Sequence, residues 1–337
     1  MKILIIQTAF IGDVILATGV AESIHAWDPS VQIDFLLRRG NEALLHNHPF
    51  IHEVLVWDKR ENKTANLFKL IRRVRKSKYD HVVNLHRFGS SGLITALSGA
   101  RRTTGFDKNP LAVFFTKKYP HKMGKKGGEF EHETERNFSL LKDIGHCEKK
   151  LPRLYPSAKD IEKISSYQED MYICMAPSSV WFTKQWPEAK WIKLINLIQD
   201  NIKIYLLGAP SDKALCERIV HHAKRKVISL CGQLSFLESA ALMQKSIMNY
   251  VNDSAPMHMA SSMNAPVTAI YCSTIPEFGF GPLSNQSYVI EENEGLDCRP
   301  CGLHGYKACP KGHFNCANLI DPKTVLEKTL HTHIKIS

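Results

Sequence analysis

The chain has 337 residues, of which 44% are apolar and 23% charged, and it carries a formal net charge of +11. This composition is typical of a packed soluble protein and excludes a disordered one, while the length predicts two domains. No stretch of ~18 apolar residues occurs, which excludes a transmembrane helix, and Lys2 leads directly into a short strand-like run instead of a secretory signal. We therefore expect a cytoplasmic protein.

Strand-like apolar runs alternate with helical patterns along the chain. In the first half the pattern predicts strands at 3–7, 32–37, 54–57 and 81–85, and helices at 14–26, 42–48, 65–76 and 91–98. In the second half it predicts strands at 172–176, 202–207, 227–231, 247–251 and 267–271, and helices at 188–199, 212–223, 236–245, 257–263 and 322–330. Such alternation predicts an α/β protein with one parallel, Rossmann-like sheet in each half.

A break in this alternation, near residues 149–159, marks the predicted domain boundary. Pro152 and Pro156 interrupt the pattern there, so we expect domains at 1–155 and 156–337. Parallel sheets bind ligands at the carboxyl ends of their strands, so two such domains predict a central cleft lined by residues that directly follow strands.

Gly12 and Asp13 follow the first predicted strand. Gly12 allows a tight turn before the helix, and Asp13 suits either a helix N-cap or a general base that takes a proton from an acceptor hydroxyl. No G-x-G-x-x-G and no Walker lysine follow this strand, which disfavours a dehydrogenase or a kinase.

Two segments of the second half predict an anion site. Ser178, Ser179 and Lys184 follow the strand at 172–176, and their hydroxyls and positive charge suit a phosphate. The stretch 252–258 reads as the end of a strand, a tight loop and the start of a helix. There Asp253 or Ser254 can cap the helix, whose unpaired N–H groups and positive dipole end favour a phosphate. A capped helix without a ligand is the alternative.

Four cysteines with the spacing C-x2-C-x7-C-x6-C lie in a loop-like segment at 298–316, and they are Cys298, Cys301, Cys309 and Cys316. A structural zinc site, reduced thiols in a compact loop and disulfides are all open alternatives. We expect no catalytic metal here, because the segment lies outside the predicted strand ends.

The positive charge is concentrated in two clusters of the first half. One lies at the end of the predicted helix 65–76 and comprises Arg72, Arg73, Arg75, Lys76 and Lys78; the other predicts a flexible basic loop and comprises Lys117, Lys118, Lys122, Lys125 and Lys126. An anionic membrane surface or a phosphorylated substrate suits both, and a solvated helix face also accounts for the first. Nucleic acid ranks last, because no nucleic-acid-binding signature occurs.

Several motifs, in their order and spacing, resemble one enzyme family over nearly the whole chain. They are Ile11-Gly12-Asp13-Val14, Lys78-Tyr79-Asp80, Leu85-His86-Arg87, Ser98-Gly99-Ala100-Arg101, Gly105-Phe106, His132 with Arg136-Asn137, Lys184-x-Trp186-Pro187, Asn252-Asp253-Ser254 with Met257-His258, Gly281-Pro282-Leu283 and the cysteine tail. The chain resembles the ADP-heptose:lipopolysaccharide heptosyltransferases, glycosyltransferase family 9, and most of all their heptosyltransferase II branch.

The resemblance implies a GT-B architecture and an inverting transfer of heptose from ADP-heptose to the lipopolysaccharide inner core, without a cofactor for catalysis. It implies Asp13 as the general base, with Lys184 and His258 stabilising the leaving diphosphate. Implied donor-binding residues are Ser178, Ser179, Asp212, Leu234, Asp253, Ser254 and Ala255, and implied acceptor-binding residues are His132, Arg136 and Arg87. The partners would be a phosphorylated acceptor and the inner face of the inner membrane, where the protein would be peripheral.

Two departures from the family pattern bear on the donor. Ala255 stands where the family usually has glycine, and Ser178 and Ser179 replace other small or polar residues. The same fold with another nucleotide-sugar is therefore one alternative function. A non-catalytic basic protein that binds anionic lipid or nucleic acid is another, of a different class.

Overall fold

A computed structural model describes residues 1–60, 62–292 and 295–329. The chain folds into two compact units, one of Met1–Met123 with Glu131–Tyr155, and one of Gly124–Phe130 with the chain from Pro156 onward. The change of unit after residue 155 coincides with the predicted boundary. The segment Gly124–Phe130 is a correction to the predicted first domain, because it packs with the second unit.

The first unit contains a parallel sheet of six strands in the order β3-β2-β1-β4-β5-β6. The strands are β1 (Lys2–Ile6), β2 (Gln32–Arg38), β3 (Ile51–Trp57), β4 (His81–Asn84), β5 (Arg102–Phe106) and β6 (Lys117–Tyr119). The helices are α1 (Ile11–Trp27), α2 (Lys63–Lys76), α3 (Gly89–Ala96) and α4 (Glu133–Ser139), and 3₁₀ turns lie at Glu42–Leu45 and Ala112–Phe114.

The second unit repeats this plan with the order β12-β11-β10-β7-β8-β9, again all parallel. The strands are β7 (Tyr172–Ala176), β8 (Lys203–Leu206), β9 (Ile228–Ser229), β10 (Asn249–Asn252), β11 (Val267–Tyr271) and β12 (Ser287–Glu291). The helices are α5 (Ala158–Ile164), α6 (Glu188–Leu197), α7 (Lys213–His222), α8 (Phe236–Gln244), α9 (Ala255–Ser262), α10 (Asn315–Asn318) and α11 (Pro322–Thr329). Further 3₁₀ turns lie at Ser165–Gln168, Phe182–Lys184, Pro210–Asp212 and Pro276–Phe278.

Each sheet is buried on both faces, which is why its strands are continuous apolar runs. Four residues of β1, Ile3–Ile6, have no exposed surface, and β7 is buried along its whole length. In the first unit α2 packs its Leu67, Leu70, Ile71 and Val74 onto one face of the sheet. In the second, Trp186 and Trp191 pack edge-to-face, with ring centroids 5.2 Å apart, inside the core beneath α6.

Most predicted elements are confirmed, and the differences have local causes. The predicted helix 42–48 is a 3₁₀ turn, and α1 begins three residues earlier than predicted, so Gly12 is helical and makes no tight turn. The strands β5, β6 and β12 were not predicted, because they are short and rich in polar residues. Residue 330 of the predicted last helix lies outside the described residues. No helix within the described ranges is both long and apolar enough to span a membrane.

Candidate active site

Both strand orders place a topological switch point at the centre of a sheet. In the first sheet the order reverses between β1 and β4, and in the second between β7 and β10. Loops leave in opposite directions at such a point, which opens a crevice beyond the carboxyl ends of the two strands. Asp13 follows β1 and Arg87 follows β4; Lys184 follows β7 and Asp253 follows β10. The sequence-predicted chemistry therefore lies at the two switch points.

Asp13 lies in the first turn of α1. Phe10 is the N-cap residue, and its backbone N–H donates to Asp13 Oδ2 at 3.2 Å. Burial, with a smaller contribution from the negative charge of Glu133, raises the pKa of Asp13 from 3.8 to about 6, against the opposing effects of the Phe10 hydrogen bond and the charge of Arg87. A carboxylate with this pKa is ionised at neutral pH and is a stronger base than an ordinary aspartate.

Glu133, on α4, holds a fixed negative charge in the interior of the first unit. Its Oε2 accepts from Arg136 Nε at 2.8 Å and lies 3.2 Å from His121 Nε2. Burial acts to raise the pKa of Glu133, but His121 and Arg136 outweigh it and hold the pKa below its ordinary range. Since α4 packs against α1, this ionised carboxylate acts on Asp13.

Arg136 and His132 were predicted to bind the acceptor, but in the structure Arg136 binds groups of its own unit. Arg136 is 1% exposed, and its guanidinium also donates to the carbonyl oxygens of Lys122 and Glu131. It therefore anchors Glu133 and presents no surface to a ligand, which corrects the prediction. His132 is the N-cap of α4, where its Nδ1 accepts from the Thr134 N–H at 3.1 Å.

Three basic residues follow neighbouring strands at the same edge of the first sheet as Asp13. Arg38 ends β2, Lys59 follows β3 and Arg87 follows β4; each is only partly exposed. No carboxylate in the described ranges lies within ion-pair distance of any of them, and nearby Asp58 pairs with Arg39 and Arg60 instead. We call Arg38, Lys59 and Arg87 the basic group.

The positive charges of the basic group lower the pKa values of Lys59 and of the nearby His86. Burial, with smaller contributions from the charges of Arg38 and Lys63, lowers the pKa of Lys59 to about 8. Burial also lowers the pKa of His86 to about 4, with contributions from Lys59, Arg87 and Arg38, so this histidine is neutral. A bound anion would relieve this repulsion. Of the group, sequence reasoning identified only Arg87, although Arg38 and Lys59 also lie directly beyond predicted strands.

In the second unit, Lys184 and Asp253 form an ion pair across the switch point. Lys184 Nζ lies 2.6 Å from Asp253 Oδ2, and Thr274 Oγ1 donates to the same oxygen at 2.6 Å. The lysine side chain is 16% exposed and the aspartate side chain 8%. The pairing fixes the ammonium group beside the loop that precedes α9.

Asn252, the last residue of β10, connects the two predicted anion-binding segments. Its Nδ2 donates to the carbonyl oxygen of Pro177 at 2.8 Å and to that of Ser178 at 3.3 Å, and its Oδ1 accepts from the Trp186 N–H at 2.9 Å. The side chain is fully buried. Sequence reasoning included Asn252 in a motif but assigned it no role.

The N-terminus of α9 supplies backbone donors beside the ion pair. Ser254 is the N-cap residue, but its side chain makes no capping hydrogen bond; its hydroxyl donates to the Asn252 carbonyl at 3.3 Å. Pro256 lies in the first turn, as expected for a residue without an N–H. His258 is buried one turn into the helix, with its ring edge-on to Phe280. Ala255 is partly exposed at the first helical position.

Asp212 and Leu234, the two residues predicted to lie near the nucleoside, follow β8 and β9, two further strands of the second sheet. Asp212 follows β8, where its Oδ2 accepts from the Ala209 N–H at 2.8 Å and closes the turn. Leu234 follows β9 and is partly exposed just before α8. The predicted donor-binding residues therefore come from four neighbouring strands, β10, β7, β8 and β9.

The cysteine-rich segment packs against Lys184 instead of lying apart from the strand ends. Tyr306 N donates to Thr183 Oγ1 at 2.7 Å, and the buried Arg299 donates to the Cys272 and Thr274 carbonyl oxygens at the end of β11. Gly305 has a φ of +77°, and a Cβ there would lie 3.2 Å from Lys184 Cγ. The segment thus supports the position of Lys184.

The four cysteines of this segment do not fit a metal ion as they are arranged. Within the described ranges no three Cys, His, Asp or Glu side chains are grouped to hold one. Cys298 Sγ lies 3.8 Å from His313 Nε2, and Cys301 Sγ donates to the Cys298 carbonyl oxygen at 3.3 Å. All nine cysteines are free thiols.

Comparison with known proteins agrees with this arrangement. The sequence profile of glycosyltransferase family 9 (heptosyltransferase) matches residues 67–304, well over half of the chain. The chain belongs to this family. It is 27% identical over 282 residues to lipopolysaccharide heptosyltransferase 3 of Escherichia coli, covering 79% of this chain and 82% of that one.

Two solved structures show the same fold. A family 9 glycosyltransferase from Veillonella parvula superposes with a TM-score of 0.82 at 22% identity, covering 98% of this chain and 96% of that one. The E. coli ADP-heptose LPS heptosyltransferase II superposes with a TM-score of 0.79 at 22% identity, covering 97% of both. The chain is thus a glycosyltransferase of the GT-B fold. The chain is similar both to a heptosyltransferase 3 and to a heptosyltransferase II, so the comparisons identify the family but do not distinguish the branch.

Proposed function

We propose that this protein transfers heptose from ADP-heptose to the inner core of lipopolysaccharide by an inverting, metal-independent mechanism with Asp13 as the general base. Family membership and the names of the relatives support the donor and the acceptor. The observation that carries the mechanism is the raised pKa of Asp13 at the switch point of the first sheet.

The reaction is a single displacement at the anomeric carbon. Asp13 takes the proton of the acceptor hydroxyl while its oxygen attacks the anomeric carbon from the side opposite to the ADP group. The bond between the carbon and the diphosphate oxygen breaks, and ADP leaves with the negative charge. Because only one displacement occurs, the anomeric configuration inverts.

The second unit would bind the donor and stabilise this negative charge. Lys184, held by Asp253, supplies a positive charge, and the uncapped first turn of α9 supplies backbone N–H groups beside His258. Ser178 and Ser179 would add hydroxyl donors to the diphosphate. Asp212 and Leu234, from the outer strands of the same edge, would contact the nucleoside.

The basic group of the first unit would bind the acceptor. Arg38, Lys59 and Arg87 share the sheet edge of Asp13 and pair with no described carboxylate, so an anionic substituent of the acceptor would complete their charge balance. Such an acceptor is anchored in the inner membrane by its lipid. The protein would therefore act as a peripheral protein on the cytoplasmic face.

The substitution Asp13→Asn tests this proposal. We expect it to reduce ADP release by at least ~100-fold while binding of the nucleotide-sugar stays close to wild type, since the base acts only on the acceptor. Asp28→Asn, at the other end of α1, is the matched control. Unchanged turnover in Asp13→Asn would exclude Asp13 as the base.

A thermal-shift screen with ADP-, UDP- and GDP-sugars separates the alternative functions, because a ligand of the native state raises its melting temperature. Stabilisation by ADP-heptose above all others supports the proposed donor. Preference for another nucleotide-sugar would retain the mechanism with a different donor. A basic binding protein without activity would respond to no nucleotide-sugar and release no ADP with any acceptor.

A further inference from the structure

Helix α2 has an unusual charge distribution for a surface helix. Its fourteen residues include Lys63, Lys69, Arg72, Arg73, Arg75 and Lys76, and no acidic residue. All six are exposed, and within the described ranges only Arg73 reaches a carboxylate, that of Glu53 at 2.6 Å. Like charges three or four residues apart on a helix repel each other, so this arrangement does not stabilise a helix face that contacts only water.

Two regions of exposed apolar surface accompany these charges. Phe68, on the outward side of α2, is 50% exposed and lies one turn before Arg72 and two before Lys76 on the same stripe. In the connection between β5 and β6, Val113 is 76% exposed and Phe114 66%, and Lys108, Lys117 and Lys118 nearby are exposed as well. Apolar side chains surrounded by cations are typical of surfaces that contact membranes.

Both regions lie on the same side of the first sheet. The connection with α2 joins β3 to β4, that with α3 joins β4 to β5, and residues 107–116 join β5 to β6, so each crosses the sheet in the direction from β3 to β6. The connection with α1 joins β1 to β2 and crosses the sheet in the opposite direction. Right-handed crossovers therefore place these three connections on one face and α1 on the other. The contacts agree, because α2 packs on α3, and the Gly92 position of α3 is approached by Asn109 and Leu111.

We propose that this side of the first unit, which we call the docking face, binds the surface of an anionic lipid membrane. It comprises the outward side of α2 with Phe68, and the connection with Val113 and Phe114. The cations attract the acidic headgroups, and the three apolar side chains enter the interfacial layer. The inference extends the proposed function, since it names the surface that brings the enzyme to a lipid-anchored acceptor.

Flotation of the full-length protein with phospholipid vesicles tests this proposal. Vesicles of phosphatidylethanolamine with phosphatidylglycerol are compared with vesicles of phosphatidylcholine alone, at low and high salt. We expect binding only to the phosphatidylglycerol vesicles, weakened by salt. Equal binding to both vesicle types, or binding to neither, would overturn the proposal, as would nucleic-acid binding tighter than vesicle binding.

Matched variants separate the docking face from general basicity. Lys69→Gln/Arg72→Gln/Lys76→Gln should lower vesicle partitioning by roughly tenfold or more, whereas Lys193→Gln/Lys224→Gln/Lys226→Gln removes the same charge from exposed positions of the second unit and should change it little. Val113→Ser/Phe114→Ser should remove the salt-resistant part of binding, whereas Ile161→Ser/Met171→Ser, also at exposed positions, should not. Control variants that bind as weakly as the docking-face variants would overturn the assignment.

All substituted side chains are exposed, so we expect each variant to keep the melting temperature of the wild type. A melting temperature equal to that of the wild type shows that the variant is folded. Transfer to a soluble, deacylated acceptor requires no membrane contact, so measuring it separates the test of the docking face from the test of the proposed function. The docking-face variants should release ADP with this acceptor at the wild-type rate. If no acceptor supports ADP release while the flotation pattern holds, the proposed function fails and the docking face stands.

Discussion

Lys184 Nζ and Asp253 Oδ2 are 2.6 Å apart, and this pair joins the loop after β7 to the loop after β10. The two loops leave the sheet at its switch point, so the pair fixes a positive charge where the fold opens a crevice. Asp253 is buried and holds a second hydrogen bond from Thr274, so the geometry of the ammonium group is set by the protein. A preformed charge of this kind costs little reorganisation when negative charge develops on a leaving diphosphate.

Replacing Lys184 should separate its catalytic effect from its effect on stability. Lys184→Met leaves the Asp253 carboxylate buried without its cation, so we expect a loss of about 2–4 kcal/mol in the free energy of unfolding. Lys184→Met/Asp253→Asn should recover most of this loss, because no buried charge remains. Both variants should transfer at least ~100-fold more slowly, as measured by ADP release.

The ion pair of Lys163 with Glu238 is the control for that experiment. Its lysine side chain is 56% exposed, so Lys163→Met should cost less than about 1 kcal/mol and leave transfer unchanged. A double variant of Lys184 and Asp253 that transferred at the wild-type rate would contradict the role of the lysine in leaving-group stabilisation.

The charge on Glu133 should set the acid side of the pH profile. In the wild type, kcat/KM should fall below an apparent pKa of about 6 as Asp13 becomes protonated. Glu133→Gln removes the negative charge that helps to raise this pKa, so the acid limb should move to lower pH. Glu135→Gln, on the exposed side of the same helix, should leave the limb in place. An unmoved limb in Glu133→Gln would show that Glu133 does not act on the base.

The same pKa predicts how stability depends on pH. Because the pKa of Asp13 rises from 3.8 to about 6 on folding, the folded protein binds the proton more tightly than the unfolded chain does. The stabilisation is complete below pH 3.8 and is lost as the pH rises through 6. Asp13→Asn, which does not titrate, should therefore have a free energy of unfolding up to about 3 kcal/mol above that of the wild type well above pH 6, with no such gain below pH 3.8, as measured by urea unfolding.

Gly305 offers a test of the support that the cysteine-rich segment gives to Lys184. It has a φ of +77°, and an added Cβ would lie 2.8 Å from Thr183 Oγ1 and 3.2 Å from Lys184 Cγ. Gly312 has nearly the same φ, +76°, with nothing near its Cβ position. Both alanine variants should lose about 1–2 kcal/mol to backbone strain, but only Gly305→Ala should raise the KM for the donor. Equal donor KM values in the two variants would contradict the supporting role.

The sequence predicted the two parallel sheets and the strand-end positions of Asp13, Lys184 and Asp253, because buried parallel strands are continuous apolar runs whose ends are visible. It did not predict the task of Arg136. A guanidinium that binds an anionic ligand and one that binds an internal carboxylate have the same sequence pattern, and only packing decides between them. The same holds for Glu133, whose effect on Asp13 depends on the packing of α4 against α1.

The segment Gly124–Phe130 is another property that depends on packing. Its lysines and glycines predict a flexible loop of the first domain, yet Gly124 lies so close to the Glu277 backbone that no Cβ would fit, and Lys126 Nζ donates to the Leu296 carbonyl oxygen at 3.3 Å. Local composition carries no information about such distant partners. The predicted basic loop is therefore divided, with Lys117 and Lys118 in β6 and Lys125 and Lys126 in the second unit.

Asn252 and Asn249 allow a comparison of two buried amides on one strand, β10. Both are fully buried, and each Nδ2 donates to two backbone carbonyl oxygens, those of Met243 and Pro266 in the case of Asn249. Replacement by alanine should lower the free energy of unfolding of each variant by about 2–3 kcal/mol, measured by urea unfolding, because each loses at least two hydrogen bonds inside the core.

Only Asn252→Ala should impair the donor site, since Asn252, unlike Asn249, joins the loop carrying Ser178 and Trp186 to the loop before α9. We expect its Kd for ADP to rise by roughly tenfold, while that of Asn249→Ala stays near wild type. The two variants are matched in burial and strand, and each loses two hydrogen bonds from Nδ2 to carbonyl oxygens, so a general loss of stability affects both; Asn252→Ala additionally loses the bond from the Trp186 N–H. If ADP bound both variants equally well, the connection made by Asn252 would be structural alone, and the donor site would have to be positioned by other residues.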